Sequence, residues 1–150
     1  VYSLCAAMIG RICLSGDVLN LSEEKTALIC RGLDFYRSVS EIVRDGEIVN
    51  IDCNIEYFRA ACGRQIYEKQ LGDRRLVIVH ALQSNDTVEI PLCGYGLVDA
   101  FTDCSYTFEN GVLRFGCAGQ KACEAAGEKR FEKDGGIIFR AGAFLLEKQG

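Results

Sequence analysis

The sequence predicts a mainly β chain: an antiparallel β-sandwich of Greek-key type over residues 47–150, preceded over residues 1–46 by a strand-helix remnant of a (β/α)8 barrel. Three observations predict it. An apolar stretch closes on the polar tip Ser15-Gly16-Asp17 and leads into a capped helical run that stops at Gly46. Beyond Gly46 the apolar period changes to two. Turn residues then recur at short intervals, as they must where strands reverse direction.

Residues 6–14 are nearly continuously apolar, broken by Gly10 and Arg11, and periodicity alone assigns them to neither helix nor strand. Their second half, Ile12-Cys13-Leu14, ends on Ser15-Gly16 and reads as a short buried strand. Ser22 stands where an N-cap belongs, with Glu23 and Glu24 in the first turn, where the helix dipole favours negative charge. Leu28, Ile29, Leu33, Tyr36, Val39, Ile42 and Val43 recur at three- and four-residue steps, and Asp45-Gly46 supplies the stop. The pattern predicts a helix over about 23–44.

Residues 65–70 and 75–82 flank Leu71-Gly72-Asp73-Arg74, a hairpin pattern. The stretch from Leu76 to Leu82 is apolar on both faces, so it belongs in the middle of a covered sheet. Residues 87–92 alternate and hold the single proline, Pro91, which belongs near a strand end. Tyr106-Thr107-Phe108 and residues 112–115 flank Glu109-Asn110-Gly111, and Asn-Gly between such runs is the strongest short hairpin signal. Residues 137–146 form a final strand, whereas 117–134 read as a loop or a short strand crossing between sheets. About eight short strands with regular turns are the signature of a sandwich.

Composition narrows the function classes. Residues are 49% hydrophobic and 25% charged, which excludes a disordered chain, and no apolar run approaches the roughly 20 residues of a membrane helix. Net charge is −4 with Lys and Arg scattered, so neither nucleic acid nor a membrane surface is an expected partner. The nine cysteines contain no C-x-x-C pair, which argues against a zinc site; no metal and no cofactor is expected. Cys13 and Cys30 sit in apolar runs, where a free thiol behaves as a small buried hydrophobe, and reduced thiols set a cytoplasmic expectation. The sequence opens on Val1 with no charged region ahead of an apolar core, which fits a truncated piece and shows no signal peptide.

Chemistry-bearing motifs are few. The phosphate-cradling glycine loop, H-E-x-x-H and G-x-S-x-G are all missing from the sequence. His80, the single histidine, lies at strand spacing between Ile78 and Leu82, so a packed histidine within the sandwich is expected rather than a general base. Asp17 is the best candidate site residue because it follows a barrel-type strand on the side where such active sites are built, although Asp at a loop start also caps backbone N–H groups. Ser15 and Gly16 share that rim, and Ser15, Gly16 and Asp17 together form the candidate substrate-binding set; no catalytic residue is assigned. Tyr57, Phe58, Tyr67, Tyr95, Phe101, Tyr106 and Phe108 suit a sugar-stacking platform, but aromatics at strand spacing more often fill a core.

The stretch Met8-Ile9-Gly10-Arg11-Ile12-Cys13-Leu14-Ser15-Gly16-Asp17, followed by Leu21-Ser22-Glu23-Glu24 and Leu33-Asp34-Phe35-Tyr36, resembles the last barrel unit of the α-galactosidase (melibiase) family of glycoside hydrolases. Three later stretches resemble that family's C-terminal β-sandwich: Arg74-Arg75-Leu76-Val77-Ile78-Val79-His80, Val88-Glu89-Ile90-Pro91-Leu92 and Ala143-Phe144-Leu145-Leu146-Glu147. The resemblance covers nearly the whole chain and diverges most over 117–134. It implies the C-terminal portion of a retaining enzyme acting on terminal α-galactosides, in which one carboxylate attacks the anomeric carbon and a second, about 5 Å away, acts as acid and then base. In the family both carboxylates lie on barrel strands upstream of Gly10, so neither maps here, and Asp17 matches a position after the last strand. The α-galactoside would therefore be held by the rest of the barrel, and the helix face turned to that barrel would be exposed or paired with a second copy. The alternative is a non-catalytic β-sandwich that binds carbohydrate or a partner surface. The expected outcome of an assay of this chain on an aryl α-galactoside is no turnover; clear turnover abolished by Asp17→Asn would contradict the resemblance-based account.

Overall fold

The computed structural model describes residues 1–16, 20–55, 62–82, 87–116 and 139–150. Among these residues two helices, α1 (Tyr2–Ala7) and α2 (Glu23–Asp45), precede eight strands: β1 (Glu47–Cys53), β2 (Gly63–Leu71), β3 (Arg74–Leu82), β4 (Val88–Pro91), β5 (Tyr95–Thr102), β6 (Tyr106–Glu109), β7 (Val112–Phe115) and β8 (Phe139–Lys148). All pairings are antiparallel, in a five-stranded sheet ordered β1-β2-β3-β8-β5 and a three-stranded sheet ordered β4-β7-β6. The mainly β, antiparallel expectation holds.

Turn chemistry explains the hairpins. Asn110 and Gly111 both have positive φ, 51° and 69°, which a two-residue turn between right-twisted strands requires. The β2–β3 hairpin turns through Gly72 at φ 58°. Pro91 ends β4, an edge strand, where its missing N–H breaks no ladder.

Helix α2 begins as its sequence dictates: the Ser22 hydroxyl accepts from the Lys25 backbone N–H at 3.4 Å, with Glu23 and Glu24 in the first turn. Its end is set differently from a glycine cap in left-handed geometry. Gly46 is extended (φ −70°, ψ 148°), and a side chain there would run into the Ile42 and Gln70 carbonyls, so glycine serves close approach as the chain turns directly into β1. Cations of the sheet hold the last turns: Lys69 Nζ donates to the Val43 carbonyl and Arg74 Nη2 to the Ser38 carbonyl, each at 2.5 Å.

The centre of the large sheet, β3 and β8, is buried on both faces. On one side Phe35, Val39, Ile42 and Val43 of α2 and Cys5 of α1 pack with Tyr67, Leu76, Ile78, Phe101, Ala143 and Leu145. On the other, Val77, Val79, Phe144 and Leu146 pack with Val88, Ile90, Leu113 and Phe115 of the small sheet. The order is therefore helices, five strands, three strands.

Several local expectations need correction. Residues 11–15 form no regular structure, so the short buried strand at 12–14 is not present; Cys13 is exposed and Leu14 is 46% exposed. A strand needs a neighbour for its backbone groups, and no described strand lies beside this one. The ambiguous run 6–14 is helical only at Ala6 and Ala7, the end of α1, which starts ahead of it at Tyr2; Cys5 of α1 and Met8 just after it are fully buried. Cys30 is exposed rather than buried because it lies on the outer face of α2. No large apolar side chain of α2 is exposed; those on the surface are on β1 (Ile48, Val49, Ile51), at Leu14 and at a few other positions. The stretch 117–134 lies outside the described residues.

Truncating the fully buried Phe144, whose ring meets Phe115 edge-on at 5.9 Å, is expected to cost about 3–5 kcal/mol in Phe144→Ala. Leu14→Ala should change stability by less than about 0.5 kcal/mol. Urea unfolding of the two variants beside the parent chain checks the contrast.

Candidate functional site

Neighbouring strands bring together a charged cleft that no local motif marks. The small sheet is two strands narrower than the large one, and β1 contributes no residue to either core. Over β1 and β2 the face turned toward the small sheet is therefore only partly covered, and β4 forms a wall beside it. The resulting space, about 360 Å³, is lined by Val49, Asn50, Asp52, Arg64, Ile66, Glu68, Arg75 and residues of β4.

Register explains why these side chains meet. Asn50 stands opposite Glu68 and Asp52 opposite Ile66, while Gln70 stands opposite Arg75, so alternate residues of three strands share one face. Between Ile48 and Asn50 the β1 register shifts, and Val49 at the irregularity turns to the cleft. Gly63, at φ 109°, lies against the Asn54 carbonyl, and Asn54 closes this end by exchanging bonds with Arg64: Arg64 N–H donates to Asn54 Oδ1 at 2.7 Å and Asn54 N–H to the Arg64 carbonyl at 3.0 Å.

Charge within the cleft is compensated in pairs. Arg64 Nη2 and Asp52 Oδ2 are 3.0 Å apart with both side chains 42% exposed. Glu68, only 5% exposed, accepts from Asn50 Nδ2 at 2.8 Å and from Arg75 Nη1 at 3.3 Å. A carboxylate so far from water requires such partners. Arg75 also donates to Gln70 Oε1 at 2.6 Å and lies over the Tyr95 ring at 4.4 Å, while the Tyr95 hydroxyl donates to Gln70 Oε1 at 3.0 Å. At the β4 wall Arg114 Nε donates to Glu89 Oε1 at 2.9 Å.

The residues singled out from sequence lie elsewhere. Ser15 and Gly16 are exposed, and Gly16 has φ 97° with open space where a side chain would be. Asp17 lies outside the described residues, as do Tyr57 and Phe58. Neither Ser15 nor Gly16 lines the cleft. Of the remaining aromatics, Tyr67 and Phe101 are core residues, and Tyr106 packs edge-on against Phe144 at 5.2 Å. Among the described residues no group of three or more His, Cys, Asp or Glu side chains is arranged to hold a metal ion.

Sequence reading missed Asp52, Arg64, Glu68 and Arg75 because each looks like a solvated strand charge. One signal was available: Arg64, Glu68 and Gln70 repeat at even spacing on a strand that must neighbour the largely apolar stretch from Leu76 to Leu82, so their face cannot be freely solvated.

His80 is 2% exposed, so the packed-histidine expectation holds, but it lies on the helix side of the large sheet and not between the sheets. Its ring meets Tyr2 of α1 edge-on at 4.8 Å, and among the described residues neither nitrogen has a partner at hydrogen-bond geometry. Burial pushes its pKa below the usual histidine value, partly opposed by the nearby Tyr2 backbone. The Cys5 thiol, buried with Sγ 3.8 Å from the Phe101 carbonyl oxygen, is pushed up to about 12 by the same loss of water.

No protein-family model matches this chain, and no curated protein matches it.

A histidine held neutral in the fold binds fewer protons than in the unfolded chain, where its pKa is about 6.5. The stability it contributes is complete above that value and is lost as pH falls below it. Unfolding free energies should thus drop more between pH 7.5 and 5.5 for the parent chain than for His80→Phe, as urea titrations at the two pH values would read. Equal drops would show that carboxylates alone carry the dependence.

Proposed function

We propose that this chain is the non-catalytic C-terminal portion of a retaining glycoside hydrolase of the α-galactosidase type, in which a β-sandwich, with Greek-key connections, braces the last helix of a barrel. The substrate is a terminal α-galactoside bound by barrel residues outside this sequence, and the setting is cytoplasmic. One observation supports the reading above the others. In Ile12-Cys13-Leu14, an apolar segment ahead of a helix whose opposite end is clamped to a sheet, Ile12 packs at the edge of the core while Cys13 and Leu14 are exposed, and among the described residues no strand pairs with it. Such a segment is what a barrel strand becomes without its neighbours, since its backbone has no adjacent strand and two of its three apolar side chains stay in water. On this reading the Ser15-Gly16-Asp17 rim contacts substrate, and α2 transmits the rigidity of the sandwich to the closing barrel unit.

A second reading, a non-catalytic module that binds carbohydrate or a partner, is favoured by the cleft over β1 and β2, where polar groups converge beside apolar walls.

The polypeptide encoded by the whole reading frame tests the first reading. It should hydrolyse an aryl α-galactoside, and amides of residues 12–14 should exchange slowly there but rapidly in the 150-residue chain. Absence of turnover together with equal exchange in both would overturn it.

A further inference from the structure

Three carboxylate–guanidinium pairs surround the cleft, Asp52–Arg64, Glu68–Arg75 and Glu89–Arg114. An ionic ligand would have to break one of these pairs or stand beside a charge already neutralised. A neutral ligand with many hydroxyls faces neither cost, because guanidinium groups donate to its oxygens and carboxylates accept from its O–H groups with the pairs intact. The pair at the mouth leaves such valences available. Asp52 is engaged through Oδ2 alone and Arg64 through Nε and Nη2, so Asp52 Oδ1 and Arg64 Nη1 remain unengaged among the described residues. Asn50, whose amide nitrogen is committed to Glu68, keeps its oxygen as an acceptor.

The walls suit the same chemistry. Val49 and Pro91 present accessible hydrocarbon beside the polar groups, backed by the buried Ile66 and Ile90, matching a molecule with C–H faces and O–H edges. A volume of about 360 Å³ lies at the small end of ligand clefts, roughly 300–1,000 Å³, which limits the occupant to a small molecule. Preorganisation favours binding too: Arg75 is fixed by Glu68, Gln70 and the Tyr95 ring, so the cleft floor loses little side-chain freedom when a ligand arrives.

We propose that this cleft is a binding site for a small, neutral, polyhydroxylated ligand of the monosaccharide class, read by Asp52, Arg64 and Asn50 at its mouth. The proposal deepens the binding-module reading and does not depend on the glycosidase reading.

Isothermal titration of the 150-residue chain with methyl glucoside, methyl galactoside and inositol, beside galacturonate and glucosamine as charged counterparts, tests it. Neutral probes should bind more tightly than charged ones, with little response to salt. The double substitution Asp52→Ala/Arg64→Ala should raise the dissociation constant about tenfold or more. Both side chains are part-exposed, so a thermal melt close to the parent's is expected, and Asp52→Asn provides a milder second variant whose smaller loss should fall in the same direction. Neutral probes binding equally well to parent and both variants would place a sugar site elsewhere, overturning the cleft assignment while leaving the module reading standing. Tighter, salt-sensitive binding of a charged probe would overturn the ligand class. No binding of any probe would overturn both the cleft proposal and the carbohydrate-binding form of the module reading.

Discussion

Burial of β3 and β8 on both faces is the constraint from which the remaining architecture follows. Leu76 and Ile78 of β3 face the helices while Val77 and Val79 face the small sheet, and β8 divides Ala143 and Leu145 from Phe144 and Leu146 in the same way. Two adjacent strands with apolar residues on both sides need a cover on each. The helices provide one and the three-stranded sheet the other. Space between the sheets is tight: a side chain at Gly142 would come within 2.8 Å of the Phe144 ring and 3.0 Å of Phe115. The glycine thus makes room for aromatic packing that larger residues would prevent.

The same constraint creates the candidate site at its margin. Both covers centre on β3 and β8, leaving β1 as an edge with Ile48 and Ile51 each 55% exposed. Between this open edge and the packed centre, β2 carries Glu68 into near-complete burial. There the cost of removing a carboxylate from water is met by Arg75 and Asn50. The cleft is consequently a product of unequal sheet widths, and its paired charges are a response to burial at that margin.

Elements whose signals are local were legible from sequence. Ser22 and the 3.6-residue stripe marked α2, the apolar stretch from Leu76 marked a central strand, and Asn110-Gly111 marked a hairpin realised with two positive φ angles. Signals that require a partner were not. Ile12-Cys13-Leu14 has a strand's composition, but among the described residues no strand stands beside it, and the short helix α1, which overlaps the ambiguous run only at Ala6 and Ala7, is seated because Cys5 and Met8 find an apolar sheet face to enter. The exposed tip at Ser15 and Gly16 was visible in sequence, whereas the cleft was not: its members are far apart in the chain and meet only through register.

Sequence alone determined the local grammar of this protein: where a helix starts, where chains reverse, and which strand must be covered on both sides. Those features depend on short-range sterics, hydrogen bonding and apolar period, all carried by neighbouring residues. Tertiary structure decided which sheet each strand joined, which side of the large sheet His80 entered, and which charges were paired and removed from water. Those outcomes depend on contacts between residues distant in sequence, because desolvation is a property of the surroundings and not of the residue.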